Sequence, residues 1–283
     1  MLLLIKFLLT LWHYPAVKIA GLLLACVFLI HLASALTLDR NIEYKEISYG
    51  APTVRPALEG YRVAFLTDIH GYPEQKLKDM VDAINSRGTD LVVLGGDFSG
   101  QKDLSHCLAI LSGIEAADGF YGVEGNHDRA QALKKAMEDN GMVLLENQGV
   151  AVREGLLVAG LEDLWNRSPD VEKALAQAAD DDFVLMLCHN PDTTMTQDFS
   201  RVDLALCGHV HGGEVTFFGL YAPAMPFVSQ YGQKFVSGWC QSEAGTDVYV
   251  SNGIGPHFLR VFARPQVILL TLQAGEAHGP GQS

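Results

Sequence analysis

Aspartate, asparagine and histidine residues form five short blocks in the middle of the chain, and these residue types can bind divalent metal ions. The blocks are Asp68-Ile69-His70, Gly96-Asp97, Gly125-Asn126-His127-Asp128, His189 and Gly208-His209-Val210-His211. In Asp-x-His and His-x-His, the two side chains point to the same side of an extended chain, so each pair can reach one small volume. Carboxylate, imidazole and amide ligands favour Mn, Fe, Zn or Co over a cysteine-rich structural zinc site.

Such a ligand set could hold two divalent metal ions close together. A carboxylate can bridge two ions about 3.5–4 Å apart, which is the separation used for in-line attack on phosphorus. The glycines within the blocks leave the backbone free to turn closely around the ions. The residue types and spacing therefore predict a two-metal centre that could act on phosphorus.

Each block directly follows a short apolar run that is typical of a buried β-strand. These runs cover residues 63–67, 91–95, 119–123, 183–188 and 204–207. Further strands are predicted at residues 156–159, 247–251 and 266–271, and helices at residues 74–87, 102–112, 129–140 and 171–179. This alternation predicts a single α/β domain in which two sheets pack against each other, with helices on the outside.

The order of the blocks resembles that of the calcineurin-like metallophosphoesterase family, whose pattern is D-x-H, G-D, G-N-H-D/E, H and G-H-x-H. The resemblance implies a four-layer sandwich with two central mixed β-sheets. It also implies hydrolysis of a phosphate ester or pyrophosphate by a metal-activated hydroxide, at two metal sites that share Asp97. The ligands of the first would be Asp68, His70, Asp97 and His211, and those of the second Asp97, Asn126, His189 and His209. His127 would face the substrate and protonate the leaving group, and Asp128 would orient His127.

The C-terminal part resembles the end of membrane-associated bacterial members of that family. Those members usually read S-N-G-x-G, then an arginine, then P-E-I. The corresponding residues here are Ser251-Asn252-Gly253-Ile254-Gly255, Arg260 and Pro265-Gln266-Val267, with Gln266 in place of the usual glutamate. Some members of this group resemble UDP-diacylglucosamine pyrophosphatases, so the resemblance implies a phosphorylated small molecule or a lipid as substrate.

Several apolar residues could form a wall for a lipid substrate, although packing in the core would explain each of them equally well. These residues are Trp165, Phe217, Phe218, Tyr221, Met225 and Phe227.

The N-terminus, residues 1–36, is predicted to be a membrane segment. Residues 19–36 read IAGLLLACVFLIHLASAL, which is 18 residues without a formal charge and long enough to cross a bilayer as a helix. Lys6 and Lys18 precede this stretch, whereas acidic residues begin at Asp39. The positive-inside rule then predicts a single-pass protein of a bacterial inner membrane, with its N-terminus in the cytoplasm and its domain outside.

Two other interpretations of this segment remain open. Ala33-Ser34-Ala35 fits a signal-peptidase site, so the segment could be a cleaved signal peptide. Residues 2–11 form a second apolar run, which could pair with the first around Tyr14-Pro15 and return the domain to the cytoplasm.

Charge and composition limit the partners of the remaining chain. The sequence has a net charge of −13, and residues 39–283 carry 18 Lys and Arg against 33 Asp and Glu, a net charge of −15. Such a domain repels a phosphate backbone, so we expect no nucleic-acid partner. No protein partner can be predicted from the sequence. Residues 37–60 are expected to form a connector with a lead-in strand, residues 61–273 the folded domain, and residues 274–283 a disordered tail.

Five cysteines show none of the spacings of a zinc site. Cys188 and Cys207 each end an apolar run and are expected to be buried thiols, while a disulfide remains open if the domain is extracytoplasmic. An alternative function is a membrane-tethered scaffold or sensor that binds metal without catalysis. The presence of His127 and Asp128 argues against it, because a binding module would need neither residue.

Overall fold

The computed structural model describes residues 14–98, 100, 104–255 and 259–275. Within this part of the chain, twelve strands form two sheets of six. The strands of the first sheet are β1 Glu43–Ala51, β2 Arg62–Leu66, β3 Leu91–Leu94, β4 Phe120–Gly122, β5 Val143–Leu144 and β12 Gln266–Ala274. They lie in the order β1-β12-β2-β3-β4-β5. Strands β2 to β5 run parallel, and β12 is antiparallel to β2 but parallel to β1, so the sheet is mixed.

The second sheet is also mixed. Its strands are β6 Gln148–Arg153, β7 Leu156–Gly160, β8 Phe183–Leu187, β9 Leu204–Cys207, β10 Gly238–Gln241 and β11 Asp247–Val250. They lie in the order β10-β11-β9-β8-β7-β6. The four central strands run parallel, and each edge strand is antiparallel to its neighbour.

Alternate residues of the central strands pack on opposite faces, as the pleat of a strand requires. Val63 and Phe65 of β2 face Leu185 of β8 in the core between the sheets. Ala64 and Leu66 of the same strand pack outward in a second cluster against the helices. A third cluster covers the outer face of the second sheet. The layers are therefore helices, sheet, sheet and helices, which confirms the expected α/β sandwich.

Helices cover the outer faces of both sheets. The described helices are α1 Pro15–Leu36, α2 Glu74–Asn85, α3 Leu104–Leu111, α4 Ala130–Asp139, α5 Val171–Ala174, α6 Thr193–Thr196 and α7 Met225–Val228. The expected helix at 171–179 is too long, because the chain leaves helical geometry at Leu175 and Asp182 accepts the backbone N–H of Ala179 in a turn before β8.

Strand β1 lies within residues 37–60, where a lead-in strand is expected. It pairs with β12 over its whole length, from Glu43 with Gln266 to Ala51 with Ala274. This strand forms one edge of the first sheet. Strand β12 includes Ala274, the first residue of the expected tail, and residues 276–283 lie outside the described part of the chain.

Helix α1 is apolar around its circumference, and most of its large side chains, such as Leu24 and Phe28, are exposed. Among the described residues, the stretch 15–40 is the one helix long and apolar enough to cross a membrane, a property that a signal sequence shares. Only the C-terminal end of α1 is held to the domain. Asp39 accepts hydrogen bonds there from Ser34 Oγ at 2.7 Å and from the backbone N–H of Phe262 at 2.9 Å. The possible hairpin with residues 2–11 lies outside the described residues.

Candidate metal centre

The five predicted blocks all lie at C-terminal ends of strands. Asp68, Asp97 and Asn126 follow β2, β3 and β4, whereas His189 and His209 follow β8 and β9. Within each group the strands are parallel neighbours, so their ends meet at one edge of the sheet. The structure brings the residues of both sheets together at this edge.

The first group consists of Asp68, His70 and His211, with Asp97 beside it. His211 Nε2 lies 3.5 Å from Asp68 Oδ1 and 3.3 Å from His70 Nε2. His70 Nε2 in turn lies 3.6 Å from Asp97 Oδ2. A carboxylate oxygen and two imidazole nitrogens thus face one another at distances that a single ion could span, and the ligand atoms of Asp68, His70 and His211 all lie within 4.8 Å of one another.

The second group consists of Asn126, His189 and His209, again with Asp97 beside it. Asn126 Oδ1 lies 2.7 Å from His209 Nδ1 and 3.1 Å from His189 Nε2. His189 Nε2 lies 3.4 Å from Asp97 Oδ2. The same oxygen of Asp97 therefore stands between His70 of the first group and His189 of the second.

Backbone carbonyl groups fix which nitrogen of two histidines faces the centre. A carbonyl only accepts hydrogen bonds, so the ring nitrogen beside it carries the hydrogen. His189 Nδ1–H donates to Gly95 O at 2.8 Å, and His209 Nε2–H donates to Val228 O at 3.2 Å. His189 Nε2 thereby faces Asn126 and Asp97, and His209 Nδ1 faces Asn126. Such a second hydrogen bond is usual for histidines that bind a metal ion.

The backbone is strained at this edge of the sheets. Nine described non-glycine residues have positive φ angles, and five of them are expected ligands, with values from 43° to 72°. These five are Asp68, His70, Asp97, His209 and His211. Each such residue costs on the order of 1 kcal/mol and persists only where the surrounding structure holds it, which is typical of functional sites.

Two glycines allow this close packing. A Cβ atom on Gly125 would lie 2.2 Å from Asp97 Oδ1, and one on Gly208 would lie 2.4 Å from Asp68 Oδ2. Both distances are far below van der Waals contact, so a side chain at either position would displace a carboxylate of the centre.

The charges of the centre are strongly coupled. Burial acts to lower the pKa of His189, but the adjacent carboxylates of Asp97 and Asp68 raise it to about 10. Burial acts to raise the pKa of Asp97, yet charged His189 and the N–H of His127 hold it well below its usual range. Burial raises the pKa of Asp68 to about 6, and burial together with the charge of His189 lowers the pKa of His209 to about 3. The proton on His189 therefore occupies a position that a cation could take.

His127 and Asp128 have different environments. His127 is exposed at the edge of the centre, and its ring centroid lies 5.8 Å from that of His70. Both carboxylate oxygens of Asp128 accept backbone N–H groups, from Phe98 at 2.8 Å, Asp97 at 2.7 Å and Gly125 at 3.0 Å. None of these three hydrogen bonds involves the His127 ring, and the role of Asp128 in orienting His127 stays a prediction. Asp128 holds the loop that carries Asp97 against the loop that carries Asn126.

The loop after β7 contributes contacts that the blocks did not reveal. The Trp165 ring lies edge-on to His209 at 4.5 Å, and Asn166 Nδ2 donates to Asn126 O at 2.6 Å. Asp163 holds this loop by accepting the backbone N–H groups of Trp165 and Asn166, each at 3.0 Å. An aspartate two and three residues before its partners is a turn signal that the sequence does show. Of the proposed apolar wall, Met225 is buried in the core, whereas Trp165 is half exposed.

The two mixed sheets and the edge that joins Asp and His side chains from both define a metal-binding α/β protein. Residues 61–213 match the calcineurin-like phosphoesterase family, which is more than half of the chain. The chain belongs to this family, and the resemblance seen in its sequence is confirmed. The family uses divalent metal ions, and the clustered carboxylate and imidazole groups of this chain fit such ions.

Proteins from bacteria and animals are similar in sequence to this chain. An uncharacterized metallophosphoesterase of Campylobacter jejuni is 29% identical over 89% of this chain and 69% of its own length. Phosphodiesterase YaeI of Escherichia coli is 29% identical over 75% of this chain and 82% of its own length. A transmembrane protein with a metallophosphoesterase domain from Danio rerio is 26% identical over 77% of this chain and 54% of its own length.

Proposed function

We propose that the chain is a phosphoesterase that holds two divalent metal ions. The observation that carries the proposal is the position of Asp97 Oδ2, 3.6 Å from His70 Nε2 and 3.4 Å from His189 Nε2. Asp97 would be a ligand of both ions. One ion would also bind Asp68, His70 and His211, and the other Asn126, His189 and His209. The mixture of oxygen and nitrogen ligands suits Mn, Fe, Zn or Co.

When bound, two such ions supply positive charge that neutralises phosphate oxygens and lowers the pKa of a bound water molecule to near neutrality. The side chains of the centre would hold the ions in place for that chemistry. Trp165 and Asn166 limit the opening beside His209. His127 stands exposed at the edge, where it would contact phosphoryl oxygens and give a proton to the departing oxygen. Asp128 would keep the loops carrying Asp97 and Asn126 at a fixed separation.

The substrate class that we favour is a phosphodiester or pyrophosphate attached to a lipid, of which UDP-diacylglucosamine is one example. Helix α1, whose exposed side chains are apolar, supports a location at a membrane. The similarity to Phosphodiesterase YaeI supports hydrolysis of a diester.

The location that we propose is the bacterial inner membrane, crossed once by α1. Lys18 before the apolar stretch and the acidic residues after it favour an extracytoplasmic domain. A cytoplasmic domain is the alternative, because a nucleotide-linked lipid precursor is made in that compartment.

The test of catalysis compares His127→Ala with the wild-type chain, both complete and purified in detergent with Mn²⁺. His106→Ala is the matched control, because His106 lies on the exposed side of α3 beside Glu74. We expect hydrolysis of bis-p-nitrophenyl phosphate to fall about 100-fold or more in His127→Ala and to stay unchanged in His106→Ala. Rates in all three proteins no higher than that of buffer with Mn²⁺ alone, despite bound metal, would instead favour the scaffold or sensor. A panel of lipid-linked and soluble phosphates then tests the substrate class.

A further inference from the structure

The segment that follows the metal centre carries an exposed apolar surface. We define the aromatic surface as Phe217, Phe218, Leu220, Tyr221 and Phe227. Phe227 is 85% exposed and Leu220 is 83% exposed, while Phe217 and Tyr221 are each more than half exposed. Single exposed apolar residues are common, but several large ones exposed within one short segment mark an interaction site.

The tip of this surface is a tightly held turn. The backbone N–H of Phe217 donates to Tyr221 O at 2.7 Å, and that of Leu220 donates to Phe217 O at 3.0 Å. Thr216 Oγ1 accepts the N–H of Gly219 at 2.8 Å, where φ is +73° and favours glycine. These bonds present Leu220 outward in a defined geometry.

The aromatic surface is continuous with helix α1. The His31 ring of α1 lies 5.3 Å from the ring of Phe217, 4.6 Å from that of Phe218 and 5.0 Å from that of Phe262. Asp39 joins the end of α1 to the same region through Phe262. Since α1 is apolar on all sides, its surroundings must be apolar on all sides, which a bilayer provides and a single protein partner does not.

The same segment lies at the edge of the metal centre. It begins directly after His211. Its C-terminal end, α7, lies beside the centre again, because Val228 O accepts a hydrogen bond from His209 Nε2. Ser229 Oγ donates to Asp192 at 2.6 Å and holds this return in place. Whatever the aromatic surface contacts is therefore kept at a fixed position relative to the centre.

Cations lie at the same end of α1. Arg40 and Lys76 line a cavity together with Ala35 of α1 and Leu259. Asp39 lines it as well, but its carboxylate is engaged by Ser34 and Phe262. Lysine and arginine beside an apolar surface are suited to the phosphate groups of a membrane interface.

We propose that the aromatic surface lies in the interface of the bilayer that α1 crosses, so that the metal centre is held at the membrane surface. This inference rests on the proposed membrane anchor and not on catalysis. Aromatic and leucine side chains at the level of the lipid headgroups have this role in proteins that lie on membranes.

The test places a polarity-sensitive NBD fluorophore at Leu220→Cys in the complete chain. Cys26→Ala removes the exposed cysteine of α1. The protein is reconstituted in phosphatidylcholine vesicles containing one-fifth phosphatidylglycerol, and vesicle flotation confirms that it is anchored. Glu154→Cys, at a side chain that is 91% exposed, is the matched control. Phe227→Cys is a second position, should Leu220→Cys fold poorly.

We expect lipids with a nitroxide close to the headgroup to quench the label at residue 220 or 227 at least threefold more than the label at residue 154. Equal quenching in an anchored protein would overturn the inference. A label that lipids do not quench, together with disulfide cross-linking between unlabelled Leu220→Cys chains, would also overturn it and assign the surface to a dimer. A chain that fails to float would refute the anchor and with it this inference, whereas soluble phosphodiester hydrolysis, measured in parallel, tests the proposed function separately.

Discussion

Asp97 accepts a hydrogen bond of 2.9 Å from the backbone N–H of His127 through Oδ1. Its other oxygen, Oδ2, faces His70 and His189. One carboxylate thus fixes the position of the exposed histidine and stands between the two groups of expected ligands. Asp97 therefore links the expected metal ligands to the placement of His127, so a change at Asp97 should affect both.

Replacing this carboxylate by the amide in Asp97→Asn keeps the shape and removes the charge. We expect the bound Mn²⁺ to fall from two ions per chain to fewer than one and kcat to fall at least about 1,000-fold, since the charge that holds both ions is lost. Metal analysis and kinetics on the same sample measure this. Asp79→Asn on the exposed side of α2 is the control. Two tightly bound ions in Asp97→Asn would show that Asp97 is not the bridge.

Metal binding should release protons and strengthen as the pH rises. The pKa of His189 is raised to about 10, so its ring is positively charged at neutral pH. A metal ion must displace the second ring proton in order to bind. Each unit of pH between about 6.5 and 8.5 should then increase the Mn²⁺ affinity roughly tenfold. Below about pH 6 the dependence should steepen, because the pKa of Asp68 is raised to about 6 and its carboxyl must also lose a proton.

Calorimetry in buffers of different ionisation enthalpy measures the number of protons released. At pH 7.5 we expect about one proton from His189 for the pair of ions. An affinity independent of pH over this range would contradict the assignment of a charged His189 beside Asp97.

The expected ligands could be predicted from the sequence because ligand chemistry at strand ends depends on residue type and spacing, both of which are local. The helix α2 could be predicted for a similar reason, since Leu77, Met80, Val81 and Ile84 all lie on its buried face. The short strand β5, Val143–Leu144, is defined by pairing with β4 and leaves no periodic pattern.

Contacts between distant segments could not be predicted in the same way. Asp128 accepts the N–H of Asp97, 31 residues away, and this depends on how closely two loops approach. The exposure of Phe227 and the burial of Met225, two residues earlier, likewise follow from tertiary packing around α7. The sequence marks both residues as apolar and does not show which one faces outward.

Gly125→Ala should displace Asp97, because the added Cβ would lie 2.2 Å from Asp97 Oδ1. We expect a loss of Mn²⁺ affinity of at least about tenfold and a fall in kcat of about 100-fold, comparable to losing a positioning contact of a metal ligand. Gly141→Ala is the matched control. Its Cβ meets nothing within 4 Å, and with φ of +71° it should cost only about 1 kcal/mol of stability. Unchanged metal affinity in Gly125→Ala would show that the loop can relax around a side chain.

Arg260 should stabilise the fold next to the metal centre. Its buried guanidinium donates to Asn252 O at 2.8 Å, Ala263 O at 2.9 Å and Gly255 O at 3.0 Å. Arg260→Met keeps much of the volume but leaves these buried carbonyl groups without a donor. We expect the free energy of unfolding to fall by about 3 kcal/mol.

Urea denaturation of the complete chain in detergent, followed by tryptophan fluorescence, measures the loss for Arg260→Met. Arg201→Met is the control, because Arg201 is exposed and should change the free energy of unfolding by less than about 0.5 kcal/mol. The two variants should therefore differ by several times the error of the method. Equal losses of stability in the two variants would mean that water replaces Arg260 at the three carbonyl groups. The metal centre would then be kept in place by the strand ends and Asp128 without Arg260.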